Sequence, residues 1–427
     1  MTLTKKGYTE RLIDDEISAA LRVFGAISIE GPKYCGKTWT ALNHANSSVL
    51  LTKSDDSNSD YQRAMASRSL IFKEELPELI DEWQSIPQIW DDVRTRCDDS
   101  GQPGQFILTG SSVPPRAEEI FHSGAGRICK MNMHTMSLYE SGESEGKVSL
   151  QTLFEGGDVV INLSTKPTLA QLADYIIRGG WPASLRLSPE NYYRLPQSYI
   201  VDVLDHDIAY DGVSRDKNKM KLLLRSLARN EATLATNEKI VSDIDEYVDE
   251  STYGVSRNTV AEYLNVLANI HLIENQPPYA EQLRSSDRVG KAEKRHFVDP
   301  SLACAALGIR QAHLMDDLGL MGCMFESLAV RDLRVYIEHI GGHIYHYRDN
   351  VSGNELDAVL ELSDGVYGAI EIKMGVGAID KAAEKLVWFA NSCTRKPAFL
   401  CVLSGLIDYA YRRADGVYVV PLTALKP

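Results

Sequence analysis

Residues 31–38 read Gly-Pro-Lys-Tyr-Cys-Gly-Lys-Thr, and this pattern constrains the fold more than any other part of the sequence. A short, apolar, β-prone run at residues 25–30 precedes it, and a segment able to form a helix, residues 39–45, follows it. The glycines let the backbone curl, so that successive N–H groups and a helix N-terminus face an anion. The pattern G-x-x-x-x-G-K-[ST] between a strand and a helix therefore predicts a loop that binds nucleotide phosphates.

The residue types of this loop predict particular contacts. We expect Lys37 to reach the β- and γ-phosphates and the Thr38 hydroxyl to coordinate Mg²⁺. ATP and Mg²⁺ are thus the predicted cofactors. The nucleotide-binding residues expected within the loop are Gly31, Pro32, Lys33, Tyr34, Cys35, Gly36, Lys37 and Thr38.

A second motif, Leu79-Ile-Asp-Glu82, is a short apolar run that leads into two acids. Such a run predicts a strand from which Asp81 holds Mg²⁺ and Glu82 polarises the attacking water. An ordinary acidic helix start is the alternative, since Glu74, Glu75 and Glu78 crowd the same stretch, and Pro77 and Glu78 interrupt the apolar lead. The two interpretations differ in whether Asp81 faces the phosphate-binding loop.

A third segment, residues 106–112, reads as a buried strand that ends in hydroxyl residues, of which Thr109 or Ser111 would sense the γ-phosphate. Short apolar runs alternate with helical stretches from residue 25 to about residue 135, which predicts a parallel sheet with flanking helices. The expected strands are 25–30, 48–52, either 69–72 or 78–81, and 106–109.

Composition limits the partners and the location. A chain of 427 residues is long enough for two or three domains, and no apolar run approaches the length of a membrane span. Seven cysteines without C-x-x-C pairing, and an N-terminus without a signal-peptide core, predict reduced thiols in the cytoplasm. The net charge of −14 means that any contact with DNA must come from a local basic patch.

The middle of the chain, residues 168–273, has a helical pattern. A helix from residue 239, a turn at 249–254, a helix from Ser256 and a strand at 271–274 give a winged-helix outline. Such a unit either reads DNA or has a structural, lid-like role. The basic residues between Arg215 and Arg229 are either a DNA-binding patch or a solvated helix face.

Acidic residues converge near the C-terminus. A hairpin turning at residues 363–365 would place Asp357 and Glu371 at the same open end, with Lys373 on the face of Glu371. Two carboxylates and an ammonium suit Mg²⁺-assisted hydrolysis of a phosphodiester, in which Lys373 orients the nucleophile or stabilises charge. Glu326, on the preceding helix, is a candidate third metal ligand. Ordinary surface charge on a hairpin is the alternative interpretation.

Taken in order, these motifs resemble those of a family of prokaryotic AAA-type ATPases that carry a C-terminal domain of unassigned function. Trp83 departs from the family pattern, which usually has an aliphatic residue there. Besides the motifs above, the resemblance rests on Ile80-Asp-Glu-Trp-Gln84, Leu108-Thr-Gly-Ser-Ser112, Gly126-Arg127, Ile177-Arg-Gly-Gly-Trp-Pro182, Phe297-Val-Asp-Pro300, Phe325-Glu326 and Tyr347-Arg348.

The resemblance implies an α/β protein with a P-loop NTPase sheet, a helical winged-helix middle and a C-terminal PD-(D/E)xK domain, which is restriction-endonuclease-like. The corresponding ranges are 1–165, 166–300 and 301–427. It also implies that Arg127 is an arginine finger or a sensor of the γ-phosphate, supplied to a neighbour's site if the protein forms AAA-type assemblies.

The sequence therefore predicts an ATPase that couples nucleotide state to a DNA-associated, metal-dependent nuclease-like domain. The alternative is an ATP-dependent switch or scaffold that binds a protein partner and has an inactive nuclease-like domain. ATP is the expected ligand, with DNA, a protein partner or a homo-oligomer as further partners and no membrane association.

Overall fold

The computed structural model describes residues 7–57, 59–73, 75–111, 120–209, 211–246, 254–282, 288, 291–349 and 353–427. The chain divides into two compact units. The first unit comprises Met1–Thr135, His206–Arg215 and Val266–Leu272, and the second comprises Met136–Asp205, Asp216–Asn265 and Ile273–Pro427. The long N-terminal segment of the first unit ends at Thr135, whereas the sequence predicts that the first domain ends at residue 165. The division into three domains stays a prediction.

The first unit is built on a five-stranded, fully parallel sheet with the strand order β2-β3-β4-β1-β5. Its strands are β1 (Ala26–Glu30), β2 (Ser47–Leu50), β3 (Glu78–Asp81), β4 (Phe106–Gly110) and β5 (Ile128–Asn132). Its helices are α1 (Ile13–Ala20), α2 (Lys37–His44), α3 (Asp60–Ala66) and α4 (Ile89–Ser100). The parallel sheet predicted from the alternating pattern is confirmed.

Apolar cores lie on both faces of this sheet, which is why the middle residues of its central strands are mostly apolar. Neighbouring residues alternate between the two cores, so that Ile107 packs in one and Leu108 in the other. The sequence left open whether the third strand is 69–72 or 78–81. The strand lies at 78–81, and residues 68–70 form a 3-10 helix. The sequence missed β5, an edge strand whose Lys130 interrupts the apolar run.

The second unit contains a seven-stranded mixed sheet with the order β7-β12-β13-β11-β10-β9-β8, and a separate pair, β14-β6. Its strands are β6 (Val148–Ser149), β7 (Ile161–Asn162), β8 (Gly342–Arg348), β9 (Glu355–Leu362), β10 (Tyr367–Lys373), β11 (Phe399–Ser404), β12 (Tyr409–Arg412), β13 (Tyr418–Pro421) and β14 (Leu425–Lys426).

The remaining helices are α5 (Leu150–Phe154), α6 (Leu169–Arg178), α7 (Arg194–Asp205), α8 (Lys217–Arg229), α9 (Asn237–Asp245), α10 (Arg257–Asn269), α11 (Pro300–Leu307), α12 (Gln311–Asp316), α13 (Leu318–His339) and α14 (Ile379–Ser392). Helix α10 begins in the second unit, and its last residues are grouped with the first. No helix among the described residues is both long and apolar enough to cross a membrane.

The hairpin β9–β10 forms where the sequence predicts it. The backbone turns between Leu362 and Val366, whose amide and carbonyl groups bond at 2.8 Å. Gly365 has a φ of +84°, a conformation that glycine adopts without steric cost. The antiparallel register pairs Ile370 with Ala358, which sets Glu371 opposite Asp357.

The middle segment departs from the expected pattern in two places. Residues 271–274 were expected to form a strand, but between 163 and 341 the described residues pair only through isolated bridges, such as Ile273 with Phe297. Ser256 does cap α10, accepting a bond from the Thr259 amide at 3.1 Å. The expected turn at 249–254 lies largely outside the described residues, and the winged-helix outline stays a prediction.

The glycine, serine and glutamate content of residues 138–163 indicates an insertion rather than a core, but these residues belong to the second unit. Strand β7 pairs with β12 at the edge of the seven-stranded sheet, and β6 pairs with β14. Leu150 and Leu153 of α5 are fully buried. The glycine-rich and acidic composition conceals this role, because the pairing partners lie more than two hundred residues further along the chain.

A buried arginine connects four segments of the second unit. The Arg331 guanidinium on α13 donates to Asp299 at 3.1 Å and to Asp332 at 2.6 and 3.0 Å. Asp299 also accepts the Gly180 amide at 2.9 Å, and Asp332 accepts the Leu138 amide at 3.1 Å. One cation and two carboxylates thus fix the start of α11, the end of α6 and the chain around residue 138 against α13.

The Gly-Gly-Trp sequence at 179–181 follows from the same packing. A Cβ on Gly180 would lie 2.1 Å from the carbonyl oxygen of Met136, and Gly179 has a φ of +68°. Both positions therefore require glycine. The indole of Trp181 is buried and donates to the Ser301 hydroxyl at 2.9 Å.

We expect Arg331→Met to lower the free energy of unfolding of the second unit by about 3–5 kcal/mol, because it leaves the buried carboxylates of Asp299 and Asp332 without their cation. Urea unfolding at neutral pH measures the change. The matched control, Arg225→Met on the exposed face of α8, should change stability by less than about 0.5 kcal/mol. A loss for Arg331→Met as small as the control's would contradict this account.

Candidate functional sites

The loop at residues 31–38 joins β1 to α2 and has the backbone of an anion cradle. Gly31 has a φ of +150°, and Gly36 caps α2 with a φ of 110°. A Cβ on Gly31 would lie 2.2 Å from the carbonyl oxygen of Met133, so no other residue fits there. Tyr34 also has a positive φ, +64°, which is unusual outside glycine and typical of functional loops.

The side chain of Lys37 folds back over this loop. Its ammonium donates to the carbonyl oxygens of Gly31 and Pro32, both at 2.8 Å. The first turn of α2 points its N–H groups toward the same region, and the helix dipole adds positive potential there. The ammonium therefore lies where the phosphates of a nucleotide would meet it.

Asp81, at the end of β3, joins this cluster. Its Oδ1 accepts a bond from the Thr38 hydroxyl at 3.0 Å and another from the Thr109 hydroxyl at the end of β4. The carboxyl ends of parallel strands meet at one sheet edge, which places these residues beside the loop. Burial raises the pKa of Asp81, although the hydroxyls of Thr109 and Thr38 oppose the shift. A hydroxyl and a carboxylate oxygen are ligands that Mg²⁺ prefers, so these residues fit the ion.

Glu82 follows directly and has a strained backbone, with a φ of 58°. Burial and the neighbouring Asp81 raise the pKa of its carboxyl, which increases its capacity to hold a proton. Its Oε2 accepts a bond from the Gln84 amide at 2.5 Å. Gln84 closes the Ile80–Gln84 motif, but the sequence assigns it no role, and in the structure it orients Glu82.

Two further contacts of the loop were not predicted from the sequence. Lys33 forms an ion pair of 2.5 Å with Asp207, which belongs to a returning segment of the first unit. Arg11 is buried and donates to the carbonyl oxygens of Cys35 and His134, both at 2.9 Å. No local sequence pattern indicates either contact, because each joins residues that are far apart in sequence.

Arg127 lies at the amino-terminal ends of the strands, opposite to the phosphate-binding loop. Its carbonyl accepts the amide of Ala26 at 3.0 Å, at the start of β1, whereas the phosphate-binding loop follows Glu30 at the end of that strand. Four strand residues span about 13 Å. The guanidinium instead pairs with Asp98 at 2.6 Å. The Arg127 guanidinium thus lies away from the phosphate-binding loop of its own chain, and its role as a sensor or as a finger stays a prediction.

The second candidate site is on the hairpin β9–β10. Lys373 Nζ lies 2.7 Å from Asp357 Oδ2 and 2.9 Å from Glu371 Oε2. The amide of Ile372 also donates to Asp357 Oδ2, at 2.7 Å. The structure thus brings together the two carboxylates and the ammonium, as the hairpin spacing predicts. Glu371 shares its face with Ala369, in the core that packs against α14.

Two lysines that were not predicted from the sequence also form ion pairs with the carboxylates of this cluster. Lys385 Nζ on α14 lies 2.7 Å from Glu371 Oε1. Lys294 Nζ pairs with Glu326 on α13 and lies 4.0 Å from Asp357 Oδ1. Both lysines come from segments distant from the hairpin, so no local spacing indicates them.

Burial and charge divide the carboxyl groups of this cluster. Burial raises the pKa of Asp357, but the ammoniums of Lys373 and Lys294 outweigh it, and the net shift is downward. Burial and the Asp357 charge raise the pKa of Glu326 to about 7 against the opposing effect of Lys294. Burial likewise raises the pKa of Glu371, reinforced by the Asp357 charge.

Glu371 offers a test of whether this cluster fits a divalent cation. Its side chain is fully buried, and its two carboxylate oxygens lie 2.7 Å from Lys385 Nζ and 2.9 Å from Lys373 Nζ. Buried carboxylate oxygens are normally bonded or bound to metal. The carboxylates of Asp357, Glu371 and Glu326 are oxygen donors of the kind that Mg²⁺ and Mn²⁺ prefer, and in this structure lysines hold all three.

The basic cluster predicted around residues 215–229 lies on α8. Exposed basic side chains recur at every fourth position, which places them on one helix face. These residues are Lys217, Lys221, Arg225 and Arg229. The outer two pair with Asp205 and Asp243. A role of this face in DNA binding stays a prediction.

Three family models match successive parts of the chain. Residues 24–142 match a model described as an AAA domain. Residues 169–313 and 321–425 match two domains of unknown function, DUF8612 and DUF4143. The first unit therefore carries a P-loop domain of the AAA type.

Two uncharacterized proteins, from Mycobacterium bovis and Mycobacterium tuberculosis, are each 23% identical to this chain over 296 residues. The matched region is 69% of this chain, and the chain spans only 58% of the length of those relatives. Among solved structures, a Walker-type ATPase of Pyrococcus abyssi is 13% identical, with a TM-score of 0.43 over 70% of this chain and 96% of that one. That TM-score is too low to transfer any property.

We expect Lys37→Ala to weaken binding of Mg²⁺-ATP by at least about tenfold, because it removes the ammonium that meets the phosphates. Isothermal titration of the full chain with ATP and Mg²⁺ measures the dissociation constant. Lys53→Ala, an exposed lysine of the same unit, is the matched control and should bind as the wild type does. Equal affinity in both variants would remove Lys37 from the nucleotide site.

Proposed function

We propose that this protein binds and hydrolyses ATP and that its second unit holds a metal-dependent site that cleaves DNA. The AAA-type domain supports the ATPase part. The observation that carries the nuclease part is the convergence of Asp357, Glu371 and Lys373 on neighbouring strands. The activity, substrates and partners of the whole protein belong to this proposal.

ATP hydrolysis uses the residues gathered at the ends of β1, β3 and β4. The loop amides and Lys37 hold the phosphates, while Thr38 and Asp81 hold Mg²⁺, which neutralises phosphate charge when bound. Glu82 accepts a hydrogen bond from the attacking water and orients it toward the γ-phosphate. Thr109, fixed on Asp81, reports whether that phosphate is present.

Phosphodiester hydrolysis uses the hairpin site. Asp357 and Glu371, with Glu326, bind a divalent cation, which lowers the pKa of a coordinated water when bound. Lys373 lies between the two hairpin carboxylates and is placed to orient the attacking oxygen or to stabilise charge on the phosphate. The exposed basic face of α8 is the surface of this unit that suits a DNA backbone.

A second function is favoured by the charge balance of the same cluster. Lys294, Lys373 and Lys385 contact the three carboxylates, so the cluster is neutral when every group is ionised. A site neutralised in this way is stable without a metal ion. The second unit would then be an inactive scaffold, and the protein an ATP-dependent switch that binds a protein partner.

A cleavage assay tests these functions. Labelled single- and double-stranded DNA is incubated with the wild type in Mg²⁺ or Mn²⁺, with and without ATP, and compared with Asp357→Asn and Glu371→Gln. We expect cleavage in the wild type and its loss in both variants, because each lacks a carboxylate ligand of the metal.

Two controls separate the parts of the proposal. Glu384→Gln, an exposed glutamate on α14, should cleave as the wild type does. Lys37→Ala shows whether ATP gates cleavage. If ATP is hydrolysed and no condition yields cleavage, the scaffold function replaces the nuclease.

A further inference from the structure

Lys294 reaches the carboxylate cluster from a segment outside the hairpin. Its side chain is 5% exposed, and its ammonium pairs with Glu326 while lying 4.0 Å from Asp357 Oδ1. Burial alone would lower the pKa of this amine, but the charges of Glu326 and Asp357 outweigh it and raise the pKa. The group is therefore a buried cation held between two carboxylates.

The backbone around Lys294 is anchored to the same sheet. Lys294 and Gln276 exchange two amide–carbonyl bonds, both at 2.9 Å. The Gln276 side chain donates in turn to the carbonyl oxygens of Asp357, at 3.0 Å, and of Tyr345, at 2.8 Å. The ammonium is thus positioned by bonds to β8 and β9 and does not depend on a mobile surface chain.

Asp357 presents its two oxygens to two different ammoniums. Oδ2 faces Lys373, which bridges to Glu371, and Oδ1 faces Lys294, which bridges to Glu326. Two carboxylates that share one cation are also a pair of oxygen ligands of the kind a divalent ion prefers. Here a lysine already holds the position between Glu326 and Asp357.

We propose that the Lys294 ammonium takes the place of a divalent cation between Glu326 and Asp357, so that the site binds one metal ion fewer than its carboxylates would otherwise hold. The inference rests on the proposed metal site. A doubly charged ion beside a buried ammonium is repelled by it, and the ammonium already neutralises the carboxylate that would attract the ion.

The test counts Mn²⁺ ions bound to the full, nucleotide-free chain by titration and paramagnetic resonance. Lys294→Met should bind one Mn²⁺ more than the wild type, and an unchanged number of ions would contradict the inference. Lys294→Arg, which keeps the charge, and Lys291→Met, a half-buried lysine of the same segment that donates to the Arg348 carbonyl oxygen, should both bind as the wild type does.

A double variant identifies where the added ion binds. In Lys294→Met/Glu326→Gln, the carboxylate that needs a cation is gone, and the Mn²⁺ count should return to that of the wild type. If Lys294→Met binds the same number of ions as the wild type, the inference is overturned. It is overturned as well if the double variant keeps the added ion.

Thermal unfolding provides a second readout. Without metal, Lys294→Met should melt at a lower temperature than the wild type, because Glu326 is buried without its cation, and Mn²⁺ should restore the melting temperature. If Lys294→Met does not fold, Lys294→Gln is used in its place, because glutamine can still form a hydrogen bond with Glu326. A destabilised variant that Mn²⁺ does not restore contradicts the inference.

The outcome for the wild type separates this inference from the proposed function. Should the wild type bind no Mn²⁺ in its second unit while Lys294→Met binds one ion, the metal-dependent nuclease fails and the role of Lys294 holds. Should the wild type bind one ion and Lys294→Met bind it identically, the role of Lys294 fails and the nuclease proposal stands.

Discussion

The ion pairs of the buried Arg331 are the constraint on which the second unit depends. A guanidinium withdrawn from water is tolerated only if its charge is fully met, so Asp299 and Asp332 must lie close on either side. These contacts fix α13 against the start of α11, the end of α6 and the chain around residue 138. Glu326 lies on the same helix, little more than one turn before Arg331, and its place beside the hairpin carboxylates follows from that fixation.

The sequence predicts those parts of the structure that local patterns determine. The loop at 31–38 is defined by glycines with positive φ, and the hairpin site by residues equally far from one turn, so spacing alone places Asp357 opposite Glu371. Lys294 could not be predicted, because it reaches the cluster from a segment with no regular secondary structure. The place of Arg127 could not be predicted either, because a motif does not state which end of a strand it occupies.

The lysine ammonium groups of the two candidate sites, Lys37 and Lys373, contact different kinds of acceptor. Lys37 bonds two backbone carbonyls, which are neutral, and can exchange them for phosphate oxygens at a small electrostatic cost. Lys373 bonds two ionised carboxylates and gives up much more if it turns toward a substrate. The first lysine therefore stands ready for an anionic ligand, whereas the second needs another cation to take over its carboxylates.

That difference defines what separates a nuclease from a scaffold in this fold. Both functions use the same carboxylates, and both require their charge to be balanced in a buried place. If a divalent ion binds Asp357 and Glu371 more strongly than Lys373 does, the lysine is released to act on a phosphate. If the ammoniums bind more strongly, the cluster is a structural ion-pair network. The competition between one divalent ion and these lysines thus determines the chemistry of the unit, and Lys294 shifts that competition by reducing the negative charge that the ion would meet.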